Sequence, residues 1–340
     1  MQETKALKQR NNSIDCFRYF CALLVVVIHA HPLAYFSKEL NSISIDYFTR
    51  IAVPFFFMVS GYYFTKKLIA NKANLKAYLL SILGIYAFWS VVYAVKANLS
   101  NIKKHHIDMK IVKNVLLGFL YKGTSEHLWY IPSLMLAIIV LYVVYRLKIR
   151  KVLYAYSVLA FTVACLGFSY NTSIGSKIPL LNSLYASPNF TYVHRLLIFG
   201  ICFVTLGSFI CEYEKRFLEK SSKHYFIMIA AMYALFVIEK VAVKLIPLGT
   251  NNLYNFALAP LMFVIFMFLL KNPLPGFETA AKYLRNASSF VYFSHPLFMW
   301  IFRHYVKSEL IIYLLVCICT TAISFAITKI DNKYLNFFNR

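Results

Sequence analysis

Residues 18–29 read RYFCALLVVVIH, and this run decides the fold class. Arg18 and His29 stand eleven positions apart in an otherwise apolar segment. At about 100° per residue that spacing returns both side chains to nearly one helix face, roughly 16 Å apart in rise. Ionisable groups deep in a lipid-spanning helix are costly, and two stacked on one face mark a lined interior path. The plainer alternative is an arginine snorkelling at the membrane edge and a histidine bonded to a neighbouring helix.

Similar apolar runs recur along the chain, and spans are expected near residues 17–35, 47–65, 75–95, 127–147, 151–168, 192–211, 224–246, 253–271, 287–304 and 308–329. Hydrophobic residues make up 60% of the 340 and charged residues 14%. Lipid-exposed backbone must satisfy its hydrogen bonds within each segment, so the expected fold is all-α: a polytopic bundle of about ten transmembrane helices. It reads as one transmembrane domain over 17–330, with a cytoplasmic N-terminal segment at 1–16 and a cytoplasmic tail at 331–340.

A net charge of +23 would suit a nucleic-acid partner, but its distribution argues against one. Basic groups such as Lys66, Lys67, Lys72 and Lys76, or Arg146, Lys148, Arg150 and Lys151, flank spans in alternate loops. That bias places both termini in the cytoplasm; the lysine-rich loop 96–126 is the exception. The seven cysteines form no CxxC pair, no metal-ligand spacing occurs, and His105–His106 reads as a loop feature. With no small-residue cleavage site after its apolar core, the first span is expected to stay as an anchor.

Several polar residues fall at one predicted depth. Arg18 enters from the cytoplasmic end and His29 lies past the midplane, followed by His31 and Pro32. Arg50 opens the second span from outside; Glu126 and His127 open the fourth, with Trp129 beyond; His194 and Arg195 open the sixth. Glu239 and Lys240 approach the same end of the seventh span, and His295 lies mid-span in the ninth between Ser294 and Pro296. An external-half pocket fed by a polar track is the economical reading. Taken singly, each has a plainer role: His127 and Trp129 in an interfacial belt, Arg50 snorkelling, His295 bonding a carbonyl freed by Pro296. In RIAVPFFFMVSGYYF at 50–64, Pro54 and Gly61 permit bending, and Ser60–Gly61 reads as a helix-packing step.

DCFRYFCALLVVVIH at 15–29, with Arg and His separated by ten residues, resembles the signature of the integral membrane acyltransferases of family 3; so does FFFMVSG at 55–61. RIAVPFFFMVSGYY, EHLWYIP at 126–132 and VYFSHPL at 291–297 resemble the membrane half of the membrane-bound serine racemases of vancomycin resistance. The resemblance spans the chain as one ten-helix domain, so no pyridoxal chemistry is expected. It implies an O-acyltransferase in a bacterial cytoplasmic membrane, moving an acetyl or other acyl group from acetyl-CoA to a hydroxyl acceptor outside, such as an envelope carbohydrate. His29 is implied as the catalytic residue and Arg18 as its partner on the donor side, holding CoA. Arg50, Glu126, His127, Trp129 and His295 are then expected at the acceptor. Many family members carry Trp-Ser-Leu-x-x-Glu where this chain has His127, Leu128, Trp129 and Tyr130, which leaves the acceptor open. A neutral imidazole suits removal of a hydroxyl proton, and the ~16 Å rise becomes a ruler between CoA phosphate and thioester. A variant has His29 carrying the acyl group itself. The competing classes are a carrier of an L-serine-like solute, suggested by the racemase resemblance, and a non-catalytic envelope scaffold.

Overall fold

Asn11 starts the first long helix. Its side chain accepts from the Ile14 amide, and α1 runs Asn12–Ala30. His31 ends it in the left-handed region at φ 52°, and Pro32 follows. The first span is thus shifted towards the N-terminus of the expected 17–35, and residues 13–15 are buried.

The computed structural model describes residues 10–99, 109–187, 190–246, 248 and 254–330; His105–His106 and the tail 331–340 lie outside them. Among the described residues nine further long helices follow: α2 Ala52–Ile69, α3 Leu75–Ala97, α4 Tyr130–Arg146, α5 Arg150–Gly167, α6 Ile201–Phe217, α7 Ser222–Leu245, α8 Leu258–Lys271, α9 Glu278–Phe302 and α10 Glu309–Ile330. They contain no strand. Eight helical stretches are long and apolar enough to cross a membrane. Of the others, α8 has 14 residues, and α9 begins with polar residues such as Glu278, Lys282 and Arg285. Large apolar side chains such as Ile238, Leu314 and Ile318 face outwards, as a lipid-facing surface requires.

Irregular turns lead into three spans. A π-turn over Ser44–Phe48 and a 3-10 turn over Thr49–Ile51 precede α2, so Arg50 stands in the turn. The 3-10 turn Glu126–Trp129 precedes α4, and a π-stretch Arg195–Gly200 precedes α6. Such turns re-aim side chains near functional sites.

α2 crosses α6, and α1 packs against α2, α9 and α10. At the first crossing two glycines face backbone: a Cβ on Gly61 would lie 2.1 Å from the Val204 carbonyl oxygen, and one on Gly207 2.1 Å from that of Met58. Thr65 donates to Ser208 Oγ at 2.9 Å one turn away. Small residues thus let two backbones meet where no hydrophobic force drives helices together, and Gly61 serves packing. Pro54 lies in the first turn of α2, where it costs no helix bond. α1 and α9 are also tied by charge: buried Asp15 accepts from Arg285 at 3.1 Å.

A candidate active site of two cavities and three imidazoles

Arg18 and His29 open into different cavities. Arg18 lines one of about 430 Å³, together with Arg10, Lys66, Lys67, Ser60 and Ser289. Its Nη2 donates to Ser289 Oγ at 3.0 Å, and its guanidinium carbon lies 6.0 Å from the centre of the Phe56 ring. His29 lines a second cavity of about 660 Å³ with Arg50, Glu126, His127, Trp129 and Arg195. It also borders a smaller one of about 430 Å³ with His31, Lys96, Glu126, Trp300 and Arg303.

Three aromatic rings form the waist between the Arg18 and His29 cavities. Phe56, Tyr130 and Tyr292 contact one another at centroid distances of 6.1, 5.8 and 5.5 Å. All three line the Arg18 cavity, and Tyr292 lines the His29 cavity as well. The Tyr292 hydroxyl donates to the backbone carbonyl of His127, joining the waist to the turn before α4.

Above the waist three imidazoles cluster. Their ring centroids are 5.1 Å apart for His29–His295, 5.1 Å for His127–His295 and 6.4 Å for His29–His127. His127 and His295 are buried, while His29 is half-buried at the cavity wall. Among the described residues no group of His, Cys, Asp or Glu side chains has the arrangement to hold a metal ion.

His295 has a defined tautomer. Pro296 cannot supply the amide that would bond the Tyr292 carbonyl one turn earlier. His295 Nδ1 lies 2.9 Å from that carbonyl and 3.1 Å from the Val291 carbonyl. A carbonyl only accepts, so Nδ1 carries the proton and Nε2 of the neutral ring is an acceptor. That Nε2 is buried without a hydrogen-bond partner, as is His127 Nε2.

The sequence-derived residues divide. His29, Arg50, Glu126, His127 and Trp129 converge on one cavity, with Arg50 held by Asp46 at 2.7 Å and Arg195 5.1 Å over Trp129. His295 lies behind His29 and His127 and is absent from the walls of all three cavities. His31 joins the smaller cavity and accepts from Asn41 at 3.0 Å. Three expected members go elsewhere, among them Lys240, which is buried with its Nζ 5.7 Å from the centre of the Phe236 ring. His194 pairs with the Tyr254 hydroxyl at 2.7 Å, and Glu239 accepts from the Phe256 and Ala257 amides, capping the start of α8. Tyr292, Lys96, Arg303 and the Phe56–Tyr130 pair were not anticipated. Tyr292 had one signal, its place one helical turn before His295.

Fold and site together define a multi-pass helical membrane protein with a cluster of three histidines at and behind the wall of one cavity. Residues 11–329 match the acyltransferase domain of acyltransferase family 3, and the chain belongs to that family, the membrane acyltransferases. It is similar to an amino-acid racemase of Enterococcus faecalis, 26% identical over 96% of this chain and 47% of the relative. It also resembles a second amino-acid racemase from that organism, 28% identical over 76% and 36%, and a serine/alanine racemase of Enterococcus gallinarum, 28% over 66% and 32%. The chain thus spans half or less of the length of these relatives. No solved structure matches it.

Proposed function

We propose that the protein transfers an acyl group, acetyl in the simplest case, from acyl-CoA bound in the Arg18 cavity to a hydroxyl acceptor bound beside His29. One observation carries this reading: a guanidinium and an imidazole on one helix open into separate cavities that meet at an aromatic waist. The donor cavity faces the cytoplasm in this account and the acceptor cavity faces outwards across a bacterial cytoplasmic membrane. Four cationic residues, Arg10, Arg18, Lys66 and Lys67, border the donor cavity, suited to the phosphates of CoA. The three waist rings are in contact as they stand, so for the thin pantetheine arm to bring the thioester toward His29, the ring common to both cavities, Tyr292, must turn aside.

Neutral His29 takes the proton of the acceptor hydroxyl as its oxygen attacks the thioester carbonyl. The tetrahedral oxyanion is stabilised by Arg50 or His127 from the cavity wall. The C–S bond then breaks, and the thiolate takes the proton back from the imidazolium. CoA leaves on the donor side and the ester on the other. The acceptor is an envelope component such as a carbohydrate, with Glu126 and Trp129 among the groups that position it.

Labelled acetyl-CoA supplied to the outer face of inverted membrane vesicles tests the reading. His29-dependent incorporation of label into envelope material supports it. Uptake of labelled L-serine by intact cells, with no acetyl incorporation in vesicles, overturns it in favour of a carrier.

A further inference from the structure

His295 stands one shell away from the cavities, yet its ring is 5.1 Å from that of His29. Its two nitrogens have separate tasks. Nδ1–H satisfies the Tyr292 carbonyl that Pro296 leaves open. Nε2 is an acceptor by tautomer, fully buried and without a partner. A buried acceptor left unmet costs about 1–3 kcal/mol, so its persistence calls for an explanation. The available donor is His29. Its ring borders two cavities and makes no hydrogen bond with any described residue, so rotation about its side-chain bonds is open to it. His127 stands as near to His295, 5.1 Å between ring centroids, but its ring is tied to the Ser125 hydroxyl at 3.2 Å through Nδ1. In that position its Nε2 and that of His295 do not bond each other; the His29 ring carries no such tie.

We propose that His295 is a positioning residue for the reaction assigned to His29: Nε2 of His295 takes the N–H of the His29 ring, so that the other His29 nitrogen faces the acceptor hydroxyl as a bare base. The inference rests on the acyl-transfer reading above. A carboxylate fills this orienting place in hydrolytic triads; here a neutral imidazole fills it, its tautomer set by a proline on its own helix. No net proton is consumed. The N–H shared with His295 stays on His29 while the second nitrogen takes the acceptor proton and returns it to the thiolate.

The two nitrogens can be tested apart. In His295→Asn the amide N–H replaces Nδ1–H at the Tyr292 carbonyl, and nothing replaces Nε2. In His295→Gln the longer side chain brings an amide oxygen to the Nε2 position, while the helix bond is weakened. Pro296→Ala added to His295→Gln restores the backbone bond and keeps that variant folded. Purified variants are assayed for thermal stability and for labelled transfer from acetyl-CoA in reconstituted vesicles. The expected result for His295→Asn is near-native melting, unchanged KM for acetyl-CoA and a kcat lower by ~100-fold or more. His295→Gln/Pro296→Ala is expected to recover at least ~10-fold of that loss. A purely structural His295 gives the reverse order, with Asn active and Gln impaired, and overturns the proposal. Equal activity in the two folded variants also overturns it. Loss of transfer in His29→Ala with full transfer in His295→Asn defeats this inference and leaves the acyl-transfer reading intact; absence of transfer in the wild type defeats both.

Discussion

Arg18 and His29 share one face of one helix and serve two cavities. Arg18 is bonded to Ser289 in the first, and His29 is grouped with His127 and His295 at the edge of the second. Because α1 is an uninterrupted α-helix between them, their separation of ~16 Å in rise is fixed by backbone geometry. In the proposed reaction a donor held at the Arg18 end is delivered to a base at the His29 end, so substitutions at the two residues are expected to have separable effects.

Arg18→Ala is expected to act on donor binding. Loss of a charge-assisted contact worth about 1.5–3 kcal/mol raises KM for acetyl-CoA by roughly 10- to 100-fold. Arg18→Lys recovers part of it, since a point charge replaces a bidentate fork. Steady-state kinetics in vesicles at varied acetyl-CoA, with saturation still reached, checks this; a lowered kcat at unchanged KM contradicts it.

Tyr292→Phe keeps the waist ring but removes the hydroxyl that bonds the His127 carbonyl. Leaving that buried carbonyl unmet costs about 1–3 kcal/mol, felt first by the turn Glu126–Trp129 that carries Glu126 and His127. The expected outcome is lower melting in detergent and weaker acceptor binding, with the KM for acetyl-CoA unchanged.

Gly61→Ala and Gly207→Ala each place a methyl 2.1 Å from a carbonyl oxygen of the facing helix. Backbone cannot yield as a side chain can, so α2 and α6 must separate, at a cost of ~1–3 kcal/mol or more. Both variants are expected to lose the monodisperse peak in fluorescence-detected size-exclusion chromatography. Gly276→Ala is the comparison: a Cβ there meets nothing within 4 Å, but its φ of +77° strains an alanine, so a milder, purely local loss is expected.

Asp15→Asn removes one partner of the Asp15–Arg285 pair, which has Asp15 buried and Arg285 at 23% side-chain exposure. Removing one partner of a fully buried pair costs about 3–5 kcal/mol, and the partial exposure of Arg285 lowers that figure. Asp15→Asn combined with Arg285→Met is expected to melt higher than Asp15→Asn alone.

Most of the architecture was legible in the sequence because each span announces itself as an apolar run. Helix ends were harder to place, since caps and special turns set them. Asn11 and the His31–Pro32 step displaced α1, whereas the helical run of the sixth span starts at Phe190, close to the expected 192, and passes through the π-stretch Arg195–Gly200 into α6. In the site, Arg18 and His29 were readable from their spacing because helical periodicity is local. The meeting of His29, His127 and His295 comes from three different segments and had no local signature beyond the residue types. His194 and Glu239 sounded like pocket residues for their depth, yet each satisfies a neighbour within the fold: the Tyr254 hydroxyl and the amides of Phe256 and Ala257 just before α8. Hydropathy sees the cost of a buried polar group and not the partner that offsets it.

The most direct test of the account is acetyl transfer by His29→Ala, reconstituted in vesicles beside wild type and assayed together with equilibrium binding of acetyl-CoA. The account predicts folded protein that binds acetyl-CoA with near-native affinity, through Arg18 and its cavity, and transfers nothing measurable. Transfer by this variant at the wild-type rate would contradict it.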